Sequence, residues 1–108
     1  MRKFLVIGAG GQGGPCASIL SGVEDVCEIR LGDINFDLAK KVADKIGSSK
    51  VTPLELNAGR KADIAEAAAN VEAIINLTLI DFNDTILSAA LETGCHYIDT
   101  ACDYSYLM

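Results

Sequence analysis

The sequence predicts an α/β domain organised as a doubly wound parallel sheet. Short apolar runs alternate with helical stretches along the chain, and the first run leads straight into a cluster of glycines. Strands joined through helices of this length cannot be hairpins, so they pair in parallel, and the expected strand order is 3-2-1-4-5.

Residues 3–7 form the first strand, an apolar run suited to burial on both faces. The first helix covers 13–21, with Pro15 tolerated because the first turn donates no intrahelical N–H bonds. Residues 26–31 form the second strand, closed by Gly32. Asn35 caps a helix that runs through Ile46, with Leu38, Val42, Ala43 and Ile46 on one face and Gly47 as the stop. The third strand spans 50–56, and Pro53 assigns it to the sheet edge, where a missing N–H is tolerable. An alanine-rich helix follows at 62–69, then a buried fourth strand at 73–77. Asp81 or Asn83 opens a helix ending at Gly94, and a buried fifth strand covers 96–99.

The chain has 108 residues, which fits a single domain over 1–108. A chain of this size buries roughly 65% of the surface it exposes when unfolded, so it forms a core without disulfides. The 9 Lys and Arg are scattered against 15 Asp and Glu, giving a net charge of -6. That balance argues against nucleic acid as the main partner, because phosphate neutralisation needs clustered cations. No apolar run approaches the ~18–20 residues of a membrane span. The apolar stretch after Met1-Arg2-Lys3 stops at Gly8, short of a signal-peptide core, so a cytoplasmic location is expected. Cys16, Cys27, Cys95 and Cys102 have neither C-x-x-C nor zinc-ribbon spacing and read as free, mostly buried thiols.

The glycine cluster carries chemistry. Gly8, Gly10 and Gly13 fit G-x-G-x-x-G at a strand-to-helix junction, the phosphate loop of a Rossmann fold. Gly8 permits the tight turn, Gly10 lets the backbone approach a pyrophosphate, and Gly13 lets the helix pack on the sheet. The N–H groups of Gly11 and Gln12, with the helix N-terminus behind them, supply the anion site. A glycine turn kept only for packing is the plainer alternative. Asp33 lies about twenty residues beyond Gly13, where an acid accepts hydrogen bonds from the adenosine ribose. A solvated turn residue or a helix cap is the plainer alternative, although Asn35 is better placed for capping. Ile34-Asn35-Phe36 offers no Arg for a 2′-phosphate, and Lys40 and Lys41 lie more than a turn into the helix. The expected cofactor is therefore NAD in preference to NADP.

Other candidates are weaker. His96, the only histidine, starts a strand on the side away from the ligand edge and reads as structural. Asp99 and Thr100 fall at a strand's C-terminal end and mark a possible active-site edge. Cys102 lacks an activating base or cation and is flanked by Asp99 and Asp103, which disfavour a thiolate. Cys95 and His96 point to opposite faces of a strand, so no metal site is expected.

These residues resemble the cofactor domain of the saccharopine dehydrogenase family, including saccharopine reductases and carboxynorspermidine dehydrogenases. The carriers are Val6-Ile7-Gly8-Ala9-Gly10-Gly11, Gly32-Asp33 and above all the segment from Ala89 to Thr100, with its Gly-x-His-Tyr-x-Asp-Thr pattern. The resemblance implies a pyridine-nucleotide oxidoreductase that moves hydride between nicotinamide and the carbon of a secondary amine or imine. It implies that Asp33 and Ile34 border the adenosine, Asn57-Ala58 the adenine, and Leu77-Thr78 the nicotinamide side. Asn57 replaces the acid expected near adenine, and Leu77-Thr78-Leu79-Ile80 lacks the family's proline after Asn76. It implies too that the chain stops short of a substrate and dimerisation domain. A small amine or amino acid would bind through that missing part, a homodimer would form largely through it, and the chain alone would be inactive.

Two rivals share the glycines. A nucleotide-sensing regulatory module couples binding to a partner without chemistry of its own. A short-chain reductase expects G-x-x-G-x-x-G, which Gly8, Gly11 and Gly14 also satisfy, and a later Tyr-x-x-x-Lys, which is not found here. The segment from Gly94 to Thr100 favours the dehydrogenase.

Overall fold

The computed structural model describes residues 2–10, 12–78 and 83–99. Five strands, β1 (Arg2–Ile7), β2 (Val26–Asp33), β3 (Val51–Glu55), β4 (Ala73–Asn76) and β5 (His96–Asp99), form one sheet in the order β3-β2-β1-β4-β5. Every pairing is parallel. The crossover helices are α1 (Gly13–Ser21), α2 (Phe36–Ile46), α3 (Lys61–Ala67) and α4 (Asn83–Thr93). The chain winds outward from β1 to β3, then restarts at β4 on the other side of β1. That reversal opens a crevice at the C-terminal ends of β1 and β4, where such sheets bind ligands.

Period-two alternation in β1 builds the two cores. Leu5 and Ile7 face one side, with Ile64, Ile74 and Ile86. Val6 faces the other, with Ala17, Ile29, Leu31 and Ala39. A central strand apolar at consecutive positions is thus buried on both faces. Helix α2 is capped as its sequence requires: the Asn35 side chain accepts from Leu38 N at 3.1 Å, and Gly47 closes the helix at φ 72°. Arg30, on the β2 face away from Leu31, donates to the carbonyls of Ala67 and Ala69 at 2.8 and 2.6 Å, satisfying the end of α3.

Several expectations need correction. Strand β2 does not stop before Gly32 but runs on to Asp33, because Gly32 pairs with both Ile7 and Leu54. A Cβ there would lie 3.1 Å from the Leu56 Cβ, so this glycine marks close packing rather than a turn. Strand β4 ends at Asn76, leaving Leu77 beyond it. Strand β5 is not buried: it lies at the sheet edge, His96 is exposed and Ile98 is 49% exposed. Cys16, Cys27 and Cys95 are free, as expected, but half-buried. Pro53 does occupy an edge strand. The readings on Asp81, Cys102 and Asp103 lie outside the described residues, and no helix among those described is long and apolar enough to cross a membrane.

Candidate functional site

A cleft of about 510 Å³ opens at the C-terminal edge of the sheet. Gly8, Gly10 and Gln12 line it from the loop after β1, and Asp33 and Ile34 from the end of β2. Ala58, Leu77 and Thr78 complete the set drawn from the sequence, while Ile7 and Leu56 line it too. Those last two are apolar residues at strand ends, which a sequence reads as core.

The glycines divide by physical need. Gly8 sits at φ 104°, and a Cβ there would stand 3.0 Å from the Leu77 carbonyl oxygen. At Gly13 a Cβ would fall 1.6 Å from the Gly8 carbonyl oxygen, an impossible overlap with backbone. Gly10 is different. A Cβ there would meet nothing within 4 Å, so neither conformation nor packing demands glycine. What a side chain would fill is the approach to the cleft, and that open cradle fits a ligand's phosphates. Behind the loop, Gly13 N–H donates to the Gly10 carbonyl at 2.8 Å, and α1 begins with no acidic residue in its first turn. No charge within the helix itself therefore offsets the positive end of its dipole. Gly11 lies outside the described residues.

Asp33 lines the cleft from the end of β2. Its Oδ2 accepts from Ala9 N at 2.8 Å and its Oδ1 from Asn35 N at 2.9 Å. A carboxylate has about four acceptor positions, so capacity for ribose hydroxyls is left after both bonds. Ile34, 62% exposed, projects an apolar surface beside it of the kind an adenine ring covers. Asn57 does not line the cleft: its Oδ1 accepts from Gly59 N at 2.9 Å, closing an Asx turn, while the neighbouring Ala58 does line it.

On the opposite wall, the fully buried Asn76 organises the chain after β4. Its Oδ1 accepts from Thr78 N at 3.0 Å and Thr78 Oγ1 at 2.6 Å, and its Nδ2 donates to the Tyr97 hydroxyl at 3.1 Å. Sequence reasoning missed this role. The available signal was a single amide closing the apolar run Ala73-Ile74-Ile75, two residues before a threonine. Asp99 ends β5 in register with Asn76, at the ligand edge, and Thr100 lies outside the described residues. Among the described residues no group of three or more His, Cys, Asp or Glu is placed to hold a metal ion.

A parallel sheet of this order, with a glycine loop opening a helix at the switch between β1 and β4, defines a Rossmann-type domain. Its affiliation is narrower than that. The chain matches the saccharopine dehydrogenase NADP binding domain over residues 4–107 and belongs to that family.

Carboxyaminopropylagmatine dehydrogenase of Synechocystis is 32% identical over 103 residues, which cover 94% of this chain and 26% of that protein. The chain thus spans about a quarter of that relative. The structure of saccharopine dehydrogenase (L-Glu forming) from Saccharomyces cerevisiae superposes with a TM-score of 0.83 at 17% identity, covering 95% of this chain and 22% of that one. Pen from Bacillus thuringiensis gives 0.76 at 15% identity, covering 91% and 37%. These two likenesses establish the fold. The chain is accordingly a dinucleotide-binding domain of the kind found in saccharopine dehydrogenase-like oxidoreductases.

Proposed function

We propose that this chain binds NAD(H) in the cleft between β1 and β4, as the cofactor part of an oxidoreductase acting at a carbon–nitrogen bond. The observation that carries the reading is Gly10, whose missing side chain leaves an open cradle at the start of α1. In this reading the loop from Gly8 to Gly13 holds the pyrophosphate, including Gly11. Asp33 and Ile34 take the adenosine, with Ala58 and Asn57 at the adenine end. Leu77 and Thr78 border the nicotinamide ribose, and Asp99 and Thr100 edge the active site.

The bound nicotinamide supplies hydride transfer to or from the carbon of a secondary amine or imine. The chain's own residues orient that cofactor and shield one side of it. The substrate is a small amine or amino acid. That class is supported by the family and by a relative named as a dehydrogenase of carboxyaminopropylagmatine.

NAD is favoured over NADP even though the family description names NADP. A 2′-phosphate would have to sit against the Asp33 carboxylate, and Ile34-Asn35-Phe36 provides no cation to receive it. Calorimetric titration with NADH and NADPH tests both parts. NADH should bind at least about tenfold more tightly, the effect of a single unfavourable charge contact of about 1.4 kcal/mol. Equal or tighter NADPH binding overturns the NAD preference, and failure to bind either overturns the function.

A further inference from the structure

We infer that Asn76 and Tyr97 are positioning residues for the nicotinamide half of the cleft, acting through Thr78. The inference rests on the dinucleotide reading above and goes beyond it.

Asn76 is the single buried polar side chain among the described residues, and it closes an otherwise apolar strand. A buried amide stabilises a core no better than an apolar group of the same shape, so its value lies in the geometry it imposes. Here that geometry runs from β5 through the end of β4 to the residues just after it. On β5 the Tyr97 hydroxyl accepts from Asn76 Nδ2 and holds the amide plane. The Asn76 Oδ1 then takes both the backbone N–H and the hydroxyl of Thr78, fixing the turn and the rotamer together.

With Oγ1 held there, the Thr78 methyl carbon lies 3.4 Å from the place a Gly8 Cβ would occupy. The Leu77 carbonyl oxygen lies at 3.0 Å from the same place. The Leu77-Thr78 wall therefore leaves no room for a side chain at Gly8, and Leu77 N–H donates to the Ile7 carbonyl at 2.9 Å. Asp33 holds the loop from the adenosine side, through Ala9 N, and also takes Asn35 N. The nicotinamide side of the cleft is thus held through Tyr97, Asn76 and Thr78, and the adenosine side through Asp33.

The test compares NADH, which reaches Thr78, with ADP, which carries the adenosine and both phosphates but no nicotinamide riboside. Calorimetry on the unsubstituted chain, Tyr97→Phe, Thr78→Val and Thr78→Ser separates the roles, because each substitution nearly conserves volume. Tyr97→Phe and Thr78→Val should each weaken NADH about three- to tenfold, the size of a net hydrogen-bond contribution, with ADP unchanged. Thr78→Ser keeps the hydroxyl and should retain more NADH affinity than Thr78→Val. A purely structural role would lower the melting temperature and leave the NADH-to-ADP ratio alone, and that result overturns the inference. So does equal weakening of both ligands, or equal affinity of the unsubstituted chain for ADP and NADH. If the unsubstituted chain binds neither ligand, the dinucleotide reading falls first and takes this one with it.

Discussion

The carboxylate of Asp33, at the end of β2, accepts a hydrogen bond from the backbone N–H of Ala9 at 2.8 Å, inside the glycine loop. Its second oxygen holds Asn35 N at 2.9 Å. The acid expected to read the ribose therefore also braces the loop expected to hold the phosphates. A change at Asp33 acts on both functions together.

Asp33→Ala should weaken NADH about ten- to hundredfold, since charge-assisted bonds of this kind contribute roughly 1.5–3 kcal/mol. It should also weaken ADP by a comparable factor, because the loop loses its brace along with the ribose contact. Titration of both ligands checks this. Undiminished ADP binding would show that Asp33 touches neither ribose nor loop in solution.

The ends of α2 give a prediction about stability alone. Asn35→Ala removes the acceptor of Leu38 N and should cost about 1 kcal/mol. Gly47→Ala forces a side chain into φ 72°, and the nearest atom to the new Cβ is 3.9 Å away, so strain rather than crowding sets a cost of about 1–2 kcal/mol. The two sites share no partner, so the double variant should lose the sum in urea denaturation. A double variant much less destabilised than the sum would mean that α2 frays as a unit.

The sheet was legible because its signals are local. A short apolar run, a glycine cluster and a cap residue each state a strand, a turn and a helix start within a few positions, and the parallel order follows from the helical crossovers. The place of Asp33 at the cleft was legible by its distance from the glycines. The Asx turn that Asn57 closes onto Gly59 N was not, because proximity in sequence to the cleft says nothing of it. His96 and Ile98 read as buried because β5 looks like β4 in sequence, yet only β4 has a strand on each side. The Asn76–Tyr97 bond depends on the β4–β5 register, which pairs Asn76 with Asp99 and Ile74 with Tyr97. No local pattern encodes that register.

Burial pushes the Cys16 thiol above its ordinary value of 9.0. The folded chain therefore keeps this proton at a pH where the unfolded chain begins to lose it. With more protons bound in the native state, stability falls as pH rises past about 9, and below that pH the effect vanishes. Cys16→Ala should flatten part of this alkaline decline while leaving the pH 6–8 region shifted by a constant. Urea midpoints measured across the range on both proteins give the difference. An unchanged alkaline slope would mean that the thiolate reaches water in the folded chain.

Gly10 and Gly13 should separate binding from folding. Gly13→Ala places a Cβ 1.6 Å from the Gly8 carbonyl oxygen and 2.7 Å from its carbon, both backbone atoms that cannot rotate away. The loop must move, and a cost of about 3 kcal/mol or more is expected, read as a large fall in the urea midpoint. Gly10→Ala meets nothing within 4 Å and needs no unusual φ, so the fold should be unchanged or stabilised by up to about 1 kcal/mol through a less flexible unfolded chain. The same methyl stands where a pyrophosphate would approach. NADH affinity should therefore fall at least about tenfold in a protein that melts no earlier than the unsubstituted chain. Intact NADH binding by Gly10→Ala would move the phosphates away from this loop, because the open space beside Gly10 would then serve no ligand.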